Sequence, residues 1–216
     1  LLPEGVALQT NLSMPHKIEL REKRLAVINA VMENDPLTRI QYAAKYARIS
    51  NAWKKWQGII TGIDFSDGIK NKTVYLNQYI AWLKKDSVKN QAYLNTIRQL
   101  RKDYIEISNY QLPFDFLNEA IFAIELLDHA GNYLLLNSLT YPDVGEDMID
   151  MNFNSLKDKI PGFFKNYNTT VDKRIFVDLV NEYISVIDDA YIPREFDKML
   201  KKYKGVEGLA EYLYAK

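Results

Sequence analysis

The 216-residue chain lacks cysteine and carries only two histidines. Without cysteine it can form no disulfide, no zinc–thiolate site and no thiol nucleophile. It also lacks a net charge, because 28 Lys and Arg residues balance 28 Asp and Glu residues. This balance argues against nucleic acid or an anionic membrane as a partner bound through bulk charge. No apolar run approaches the roughly 18 residues that a membrane-spanning helix needs, so we expect no membrane insertion.

The histidines, His16 and His129, do not complete a catalytic or metal-binding pattern. Ser138 lies more than two helical turns from His129, too far for the hydrogen-bonded pair that nucleophilic catalysis requires. Glu125 and His129 lack the Glu-x-x-His spacing of a di-iron bundle, and no second copy exists. No glycine-rich phosphate loop follows a strand. We therefore predict no catalytic residue, no metal site and no cofactor here, and we interpret His129 as a hydrogen-bonded core histidine.

Lysine alternates with aromatic residues in several places, a pattern that can bind single-stranded nucleic acid. The places are Lys54-Lys55-Trp56, Lys84-Lys85 and Lys201-Lys202-Tyr203-Lys204. Amphipathic helices explain the same pattern, because they turn lysine to solvent and aromatic residues to the core. A nucleic-acid binder would also need these lysines gathered on one face. With zero net charge, we predict no nucleic-acid partner.

Apolar residues recur at steps of three and four along most of the chain, and no long alternating run predicts a sheet. The pattern predicts an all-α, irregular domain of about seven to nine helices. We divide the chain into a lead-in segment at residues 1–15 and a helical domain at residues 16–216. The predicted helices cover residues 16–34, 36–58, 71–85, 88–109, 113–139, 154–167, 171–188, 193–204 and 206–214.

Local signals mark several of the predicted helix ends. Asp35 is the expected N-cap of the second helix, with Pro36 at its first position. Gly58 is the expected end of that helix. Pro113 opens a long segment that is apolar nearly all round, which predicts a central, buried helix. Pro161 is expected to divide the helical segment in which it lies.

The segment RIQYAAKYARISNAWKKWQ, from Arg39 to Gln57, predicts one helix with two different faces. One face repeats large apolar residues at steps of four and three, as expected where helix packs on helix: Tyr42, Tyr46, Ile49, Trp53, Trp56 and Ile60. The opposite strip is narrow and mostly small: Ile40, Ala44, Ala47 and Asn51. Alanines on that strip let a second surface come close, so we expect this helix to separate a packed core from another surface.

Four sequence motifs occur in order between Arg21 and Gly58: REKRL, a D-P helix start, QYAAKYA and S-N-x-W-K. With them, this segment resembles the helical domain of the bacterial dipeptidyl peptidases of serine-peptidase family forty-six. In those enzymes an all-helical domain is inserted into a chymotrypsin-like double β-barrel. After Gly58 the resemblance rests on the helical pattern and on short motifs such as Asp172-Lys173-Arg174.

The resemblance implies that this chain is the helical cap of a serine dipeptidyl peptidase, which releases dipeptides from free peptide N-termini. The catalytic Ser, His and Asp would belong to barrels outside this chain, so we expect the chain alone to be inactive. It opens on Leu-Leu-Pro-Glu-Gly, and we expect it to be a piece of a longer protein whose barrel segments flank it. The resemblance also implies that the parent protein is periplasmic or secreted. Whether the parent is a homodimer stays open.

The resemblance also implies one substrate contact. The asparagine of S-N-x-W-K, which in the family helps to hold the α-amino group of the substrate, corresponds to Asn51. Ala47 and Trp53 would then belong to the wall of the same pocket. Ala52 departs from the family, where an aromatic residue often stands, and it leaves the shape of that wall open.

Two alternatives to the peptidase cap remain at this point. One is a stand-alone helical interaction module that binds a partner helix through the strip of Ala44, Ala47 and Asn51. The other is a helical nucleic-acid binder, which would need the lysines named above on one face. Strand-rich flanking segments with a glycine-rich serine motif would favour the peptidase. On periodicity alone, Trp53 is better explained as a core residue than as a substrate contact.

Overall fold

The computed structural model describes residues 12–138 and 145–215. Most of the predicted lead-in segment, residues 1–11, lies outside the described residues. Residues 12–15 are already helical, because a short π-turn leads directly into the first α-helix. The division into a lead-in segment and a helical domain therefore stays a prediction.

The described residues are almost entirely helical and contain no strand, which confirms the predicted all-α class. A π-helix at Leu117–Ile121 and short 3₁₀ helices at Lys84–Asp86 and Asp189–Tyr191 lie between the α-helices. The α-helices in chain order are α1 Met14–Met32, α2 Pro36–Phe65, α3 Gly68–Leu83, α4 Gln91–Phe116, α5 Glu125–Ser138, α6 Glu146–Lys165, α7 Thr169–Val186, α8 Arg194–Lys202 and α9 Val206–Leu213.

The chain divides into two compact units. The first contains the described part of Leu1–Glu19 together with Asn51–Asp115. The second contains Leu20–Ser50 and the described part of Phe116–Lys216.

The start of α2 is as predicted. The carboxylate of Asp35 accepts the backbone N–H of Leu37 at 3.0 Å and the hydroxyl of Thr38 at 2.5 Å, and Pro36 is the first helical residue. An N-cap carboxylate satisfies backbone donors that have no partner inside the helix. The predicted end at Gly58 is wrong, since the helix continues for seven further residues to Phe65. One glycine costs a helix only about 1 kcal/mol, which the isoleucines that follow can offset.

The predictions that Pro113 begins a helix and that Pro161 divides one are also wrong. Pro113 lies inside α4 and Pro161 lies inside α6, where the prediction had placed a start and a break. Proline removes one backbone donor and crowds the preceding turn, and here the helices continue through both positions. The segment after Pro113 is not the single buried helix that its composition predicts, because it comprises the end of α4, the π-helix and α5. It is buried only in part: Phe116, Ala120 and Ile124 are buried, whereas the side chains of Phe114 and Leu134 are 60% and 69% exposed.

The centre of the second unit is α7. Its N-cap is Asn168, whose side-chain oxygen accepts the backbone N–H groups of Thr170 and Val171 at 3.0 and 3.2 Å. Between its third and fifteenth residues, α7 buries about two of every four residues, as expected for a helix covered on a wide face: Val171, Asp172, Ile175, Phe176, Leu179, Val180 and Tyr183. The C-terminal helix α9 adds Val206, Leu209 and Ala210 to this core.

The first unit has a smaller core, with Met14, Leu83 and Leu94 buried. It also contains a partly buried ion pair: the ammonium of Lys17, whose side chain is 23% exposed, lies 3.1 Å from the carboxylate of Asp115, whose side chain is fully buried. This pair links α1 to α4 within the unit.

Candidate functional site

Asn51 lies near the middle of the 30-residue helix α2, and its side chain is exposed. Its carboxamide makes no hydrogen bond to any residue in the described part of the chain. Ala44 and Ala47, on the strip predicted to carry Asn51, are exposed as well, whereas Tyr42 and Ile49 on the opposite face are buried. The two faces of α2 are therefore as predicted. The roles of Asn51 and Ala47 stay predictions.

Trp53 is half-buried, and its indole Nε1 is withdrawn from solvent without a hydrogen-bond partner among the described residues. An unpaired buried donor costs roughly 1–3 kcal/mol. Trp56, one turn later, is half-buried too, and the ammonium of Lys17 lies 5.8 Å from the centre of its ring. Trp56 thus contacts Lys17 of the same unit. A role of Trp53 in a pocket wall stays a prediction.

The helix α2 holds the backbone of Asn51 in place and contributes no acidic side chain close to it in sequence. The only acidic residue of α2 is Asp64, more than three turns further on, while Lys54 and Lys55 follow Asn51 directly. The oxygen of a carboxamide can accept hydrogen bonds from a cation without carrying charge. On its own, then, this part of α2 offers a neutral acceptor on a rigid element.

His129 is hydrogen-bonded, as predicted, and it is half-buried rather than in the core. Its ring stacks on that of Phe163 with 3.9 Å between ring centres, and its Nε2 lies 3.2 Å from the hydroxyl of Tyr133. Among the described residues, no group of three or more His, Asp or Glu side chains could hold a metal ion. Within the same residues, no helix is both long and apolar enough to span a bilayer.

The sequence interpretation missed the most densely bonded side chain of the second unit, Asp172. Its carboxylate is fully buried and accepts the backbone N–H groups of Glu125 at 2.8 Å and Leu126 at 3.0 Å. It also accepts the hydroxyl groups of Tyr214 at 2.9 Å and Tyr167 at 3.3 Å. Since Glu125 begins α5, a residue of α7 caps α5 from 47 positions away. The only sequence signal was its place in the motif Asp172-Lys173-Arg174.

Burial around Asp172 changes several pKa values. Burial raises the pKa of Asp172 above that of an ordinary aspartate, and the four hydrogen bonds that it accepts oppose this rise. Burial also raises the pKa of Tyr42, Tyr167 and Tyr214, and nearby carboxylates raise these values further. With these four donors, Asp172 connects α7 to the start of α5, to Tyr167 and to Tyr214.

Comparison with known proteins identifies one family. The model of the family described as Peptidase S46 matches residues 1–216. The Asp/Glu-specific dipeptidyl-peptidase of Flavobacterium psychrophilum is 31% identical over 189 residues, which cover 88% of this chain and 26% of that protein. The dipeptidyl-peptidase 7 of Porphyromonas gingivalis is 27% identical over 204 residues, covering 93% of this chain and 27% of that protein. The chain thus spans about a quarter of the length of these relatives.

The fold also matches a solved structure. A crystal structure of Porphyromonas endodontalis DPP11 in complex with the dipeptide Arg-Glu aligns with a TM-score of 0.71 at 21% sequence identity. The alignment covers 98% of this chain and 31% of that one. At this identity the likeness establishes a shared helical fold.

Proposed function

Because this chain belongs to the Peptidase S46 family, we propose that it is the helical cap of a serine dipeptidyl peptidase and that Asn51 binds the α-amino group of the substrate. Relatives named as dipeptidyl peptidases are about four times as long as the matched region, which leaves room in the parent for a catalytic unit outside this chain. Family membership favours this function over a stand-alone interaction module. The observation that carries the proposal is an exposed carboxamide, without a described partner, on a long rigid helix.

The chemistry of an N-terminal ammonium fits this position. Such a group presents three N–H donors, and when it loses water it needs oxygen acceptors held in fixed directions. The oxygen of Asn51 supplies one acceptor, and α2 positions it better than a loop would. Since α2 adds no carboxylate near Asn51, the negative charge that balances the ammonium comes from the rest of the parent protein.

A cap of this kind explains why an exopeptidase releases a product of fixed length. The cleft must end two residues before the scissile bond, and a helix across that end blocks longer substrates. An asparagine on this helix then accepts hydrogen bonds only from a chain that begins there. Under this proposal the catalytic Ser, His and Asp lie outside the chain, and the 216 residues alone do not hydrolyse peptides.

We also propose that the parent acts in the periplasm or outside the cell. The support for this is family resemblance alone. Fractionation of cells that express the complete protein would test it, and a purely cytoplasmic pool would contradict it.

The test of the substrate contact is Asn51→Ala in the complete protein, assayed with a dipeptidyl chromogenic substrate. Loss of a hydrogen bond to a charged group, worth about 1.5–3 kcal/mol, should lower kcat/KM by roughly ten- to a hundredfold. Asn51→Asp keeps an oxygen acceptor and should lose less. The matched control is Asn77→Ala, which removes an exposed helical asparagine of α3 in the same unit. Equal turnover by the Asn51→Ala and Asn77→Ala variants would refute the assignment.

A further inference from the structure

The second unit contains a cleft of about 320 Å³ that the proposed function does not use. It opens among α1, α2, α5, α7 and the turn that precedes α5. Its charged lining consists of Arg24, Lys45, Arg48, Glu125 and Asp128. A volume of this size is at the lower end of the range for pockets that hold small molecules.

Arg24 makes no ion pair with a residue in the described part of the chain. Its Nε is withdrawn from solvent and makes no hydrogen bond there. Burial lowers the pKa of Arg24, as expected for a guanidinium that has lost water without a compensating ion pair. A buried guanidinium donor without an acceptor is costly, so this group is a strong candidate to bind an anion from outside the chain.

The carboxylates around Arg24 already have other partners. Glu119 accepts two hydrogen bonds from Arg21, at 2.9 Å to Nε and 2.9 Å to Nη2. Glu125 accepts the ammonium of Lys45 at 2.5 Å. Asp172 accepts the four donors described above. Each anion close enough to influence Arg24 is therefore engaged, and Arg24 remains as the surplus cation of this cluster.

The cleft itself has a surplus of positive charge. Lys45 and Glu125 neutralise each other, which leaves Arg24 and Arg48 against Asp128. Neither Arg48 nor the carboxylate of Asp128 makes an ion pair with a described residue, and both side chains are exposed at the mouth of the cleft. The rest of the lining is largely apolar, including Ile28, Ile49 and Ile175.

We propose that this cleft binds a small zwitterion of amino-acid or dipeptide size. Its carboxylate lies against Arg24 and Arg48, and its ammonium lies toward Asp128. Guanidinium groups are well suited to carboxylates because their N–H donors match the two oxygens. The apolar lining fits the aliphatic part of such a ligand. The site lies wholly in the second unit, and its assignment does not depend on the role of Asn51.

Isothermal titration of the whole 216-residue chain with Ala-Ala tests the site. The comparison ligands are Ala-Ala amide, which lacks the carboxylate, and N-acetyl-Ala-Ala, which lacks the ammonium. We expect saturable binding of Ala-Ala, weakened about tenfold or more by amidation, the loss expected for one charge-assisted hydrogen bond. Acetylation should weaken binding as well. Binding of the amide with unchanged affinity would overturn the carboxylate assignment, and unchanged binding of the acetylated peptide would overturn the role of Asp128.

Variants connect the binding to the cleft. Arg24→Gln and Arg48→Gln should each weaken Ala-Ala binding about tenfold, while Arg39→Gln should not change it. Arg39 is the matched control because it is an exposed arginine of α2 outside the cleft. If circular dichroism shows that Arg24→Gln does not fold, the Arg48→Gln variant, which replaces an exposed side chain, tests the proposal instead. Absence of saturable binding by the unmodified chain, or equal binding by all folded variants, would overturn the proposal.

Discussion

The carboxylate of Asp172 accepts the backbone N–H of Glu125 at 2.8 Å, so that one buried side chain of α7 serves as the N-cap of α5. A helix N-terminus has free backbone donors and a partial positive charge. In most helices a neighbouring residue satisfies these donors. Here the cap comes from a distant residue, which also accepts the hydroxyl groups of Tyr167 and Tyr214. The start of α5 therefore depends on the packing of α7.

This relationship predicts that Asp172→Asn strongly destabilises the second unit. The amide has one oxygen in place of two, and its N–H groups face donors. With at least two donors left unsatisfied, the loss should be about 2–4 kcal/mol in the free energy of unfolding. Urea unfolding followed by circular dichroism measures it. Asp178→Asn, an exposed aspartate of the same helix, is the control and should change stability by less than about 0.5 kcal/mol. Equal midpoints for the two variants would contradict this prediction.

The raised tyrosine pKa values predict a loss of stability in alkali. Tyr42, Tyr167 and Tyr214 keep their protons in the folded chain at a pH where the unfolded chain releases them, near pH 10. Their contribution is fully present below about pH 10 and is lost as the pH rises further, by up to about 1.4 kcal/mol per pH unit for each group.

Tyr214→Phe checks this prediction, because it removes one of these ionisations. Compared with the unmodified chain, its urea midpoint should fall less steeply between about pH 9.5 and pH 11. It should also be less stable near neutral pH, since Asp172 loses a donor at 2.9 Å. The control is Tyr75→Phe at a side chain that is 68% exposed. Parallel pH profiles for all three proteins would contradict the account.

Replacing glycine with alanine should have opposite effects on stability in α2 and in α9. A methyl group at Gly58 or Gly62 of α2 would meet no atom within 4 Å. Alanine should therefore stabilise the 216-residue chain by about 0.5–1 kcal/mol at each position, because it restricts the unfolded chain. At Gly208 of α9 the same methyl group would lie 1.8 Å from the carbonyl oxygen of Tyr203, so Gly208→Ala should destabilise it. Thermal unfolding measures the three variants, and stabilisation by Gly208→Ala would refute the packing described here.

The sequence predicts those parts of the fold that are determined by residues close together in the chain. Asp35 and Pro36 predict the start of α2 because the cap and the fixed proline backbone act within one turn. The two faces of α2 follow from periodicity. The end of α2 does not, because Gly58 and Gly62 cost about 1 kcal/mol each, too little to end a helix, and α2 continues to Phe65.

Asp172 shows why the remainder could not be predicted. An acidic residue in the first turn of a helix is common, and its usual explanation is a favourable interaction with the helix dipole. Its partners Glu125, Leu126 and Tyr214 are separated from it by more than 40 residues, so no local pattern connects them. Arg24 is similar, since its lack of a partner depends on how Arg21 and Lys45 pair in three dimensions.

For Asn51, the residues alone predict a place on a helix, on the face opposite the packed one. Its contact with the substrate is implied only by the family resemblance. Periodicity predicted that the side chain would lie opposite the packed face, and it is exposed. No pattern in a single sequence distinguishes a ligand-binding asparagine from a solvated one. Its role therefore depends on measurements with a substrate.

The most direct measurement combines a change in the protein with a change in the substrate. In the complete parent protein, kcat/KM is measured with and without Asn51→Ala, for a dipeptidyl substrate and for its des-amino analogue, which has hydrogen in place of the ammonium. If Asn51 binds that ammonium, the variant loses roughly ten- to a hundredfold on the amino substrate and nothing further on the analogue. An equal loss on both substrates, or no loss on either, would contradict the central claim.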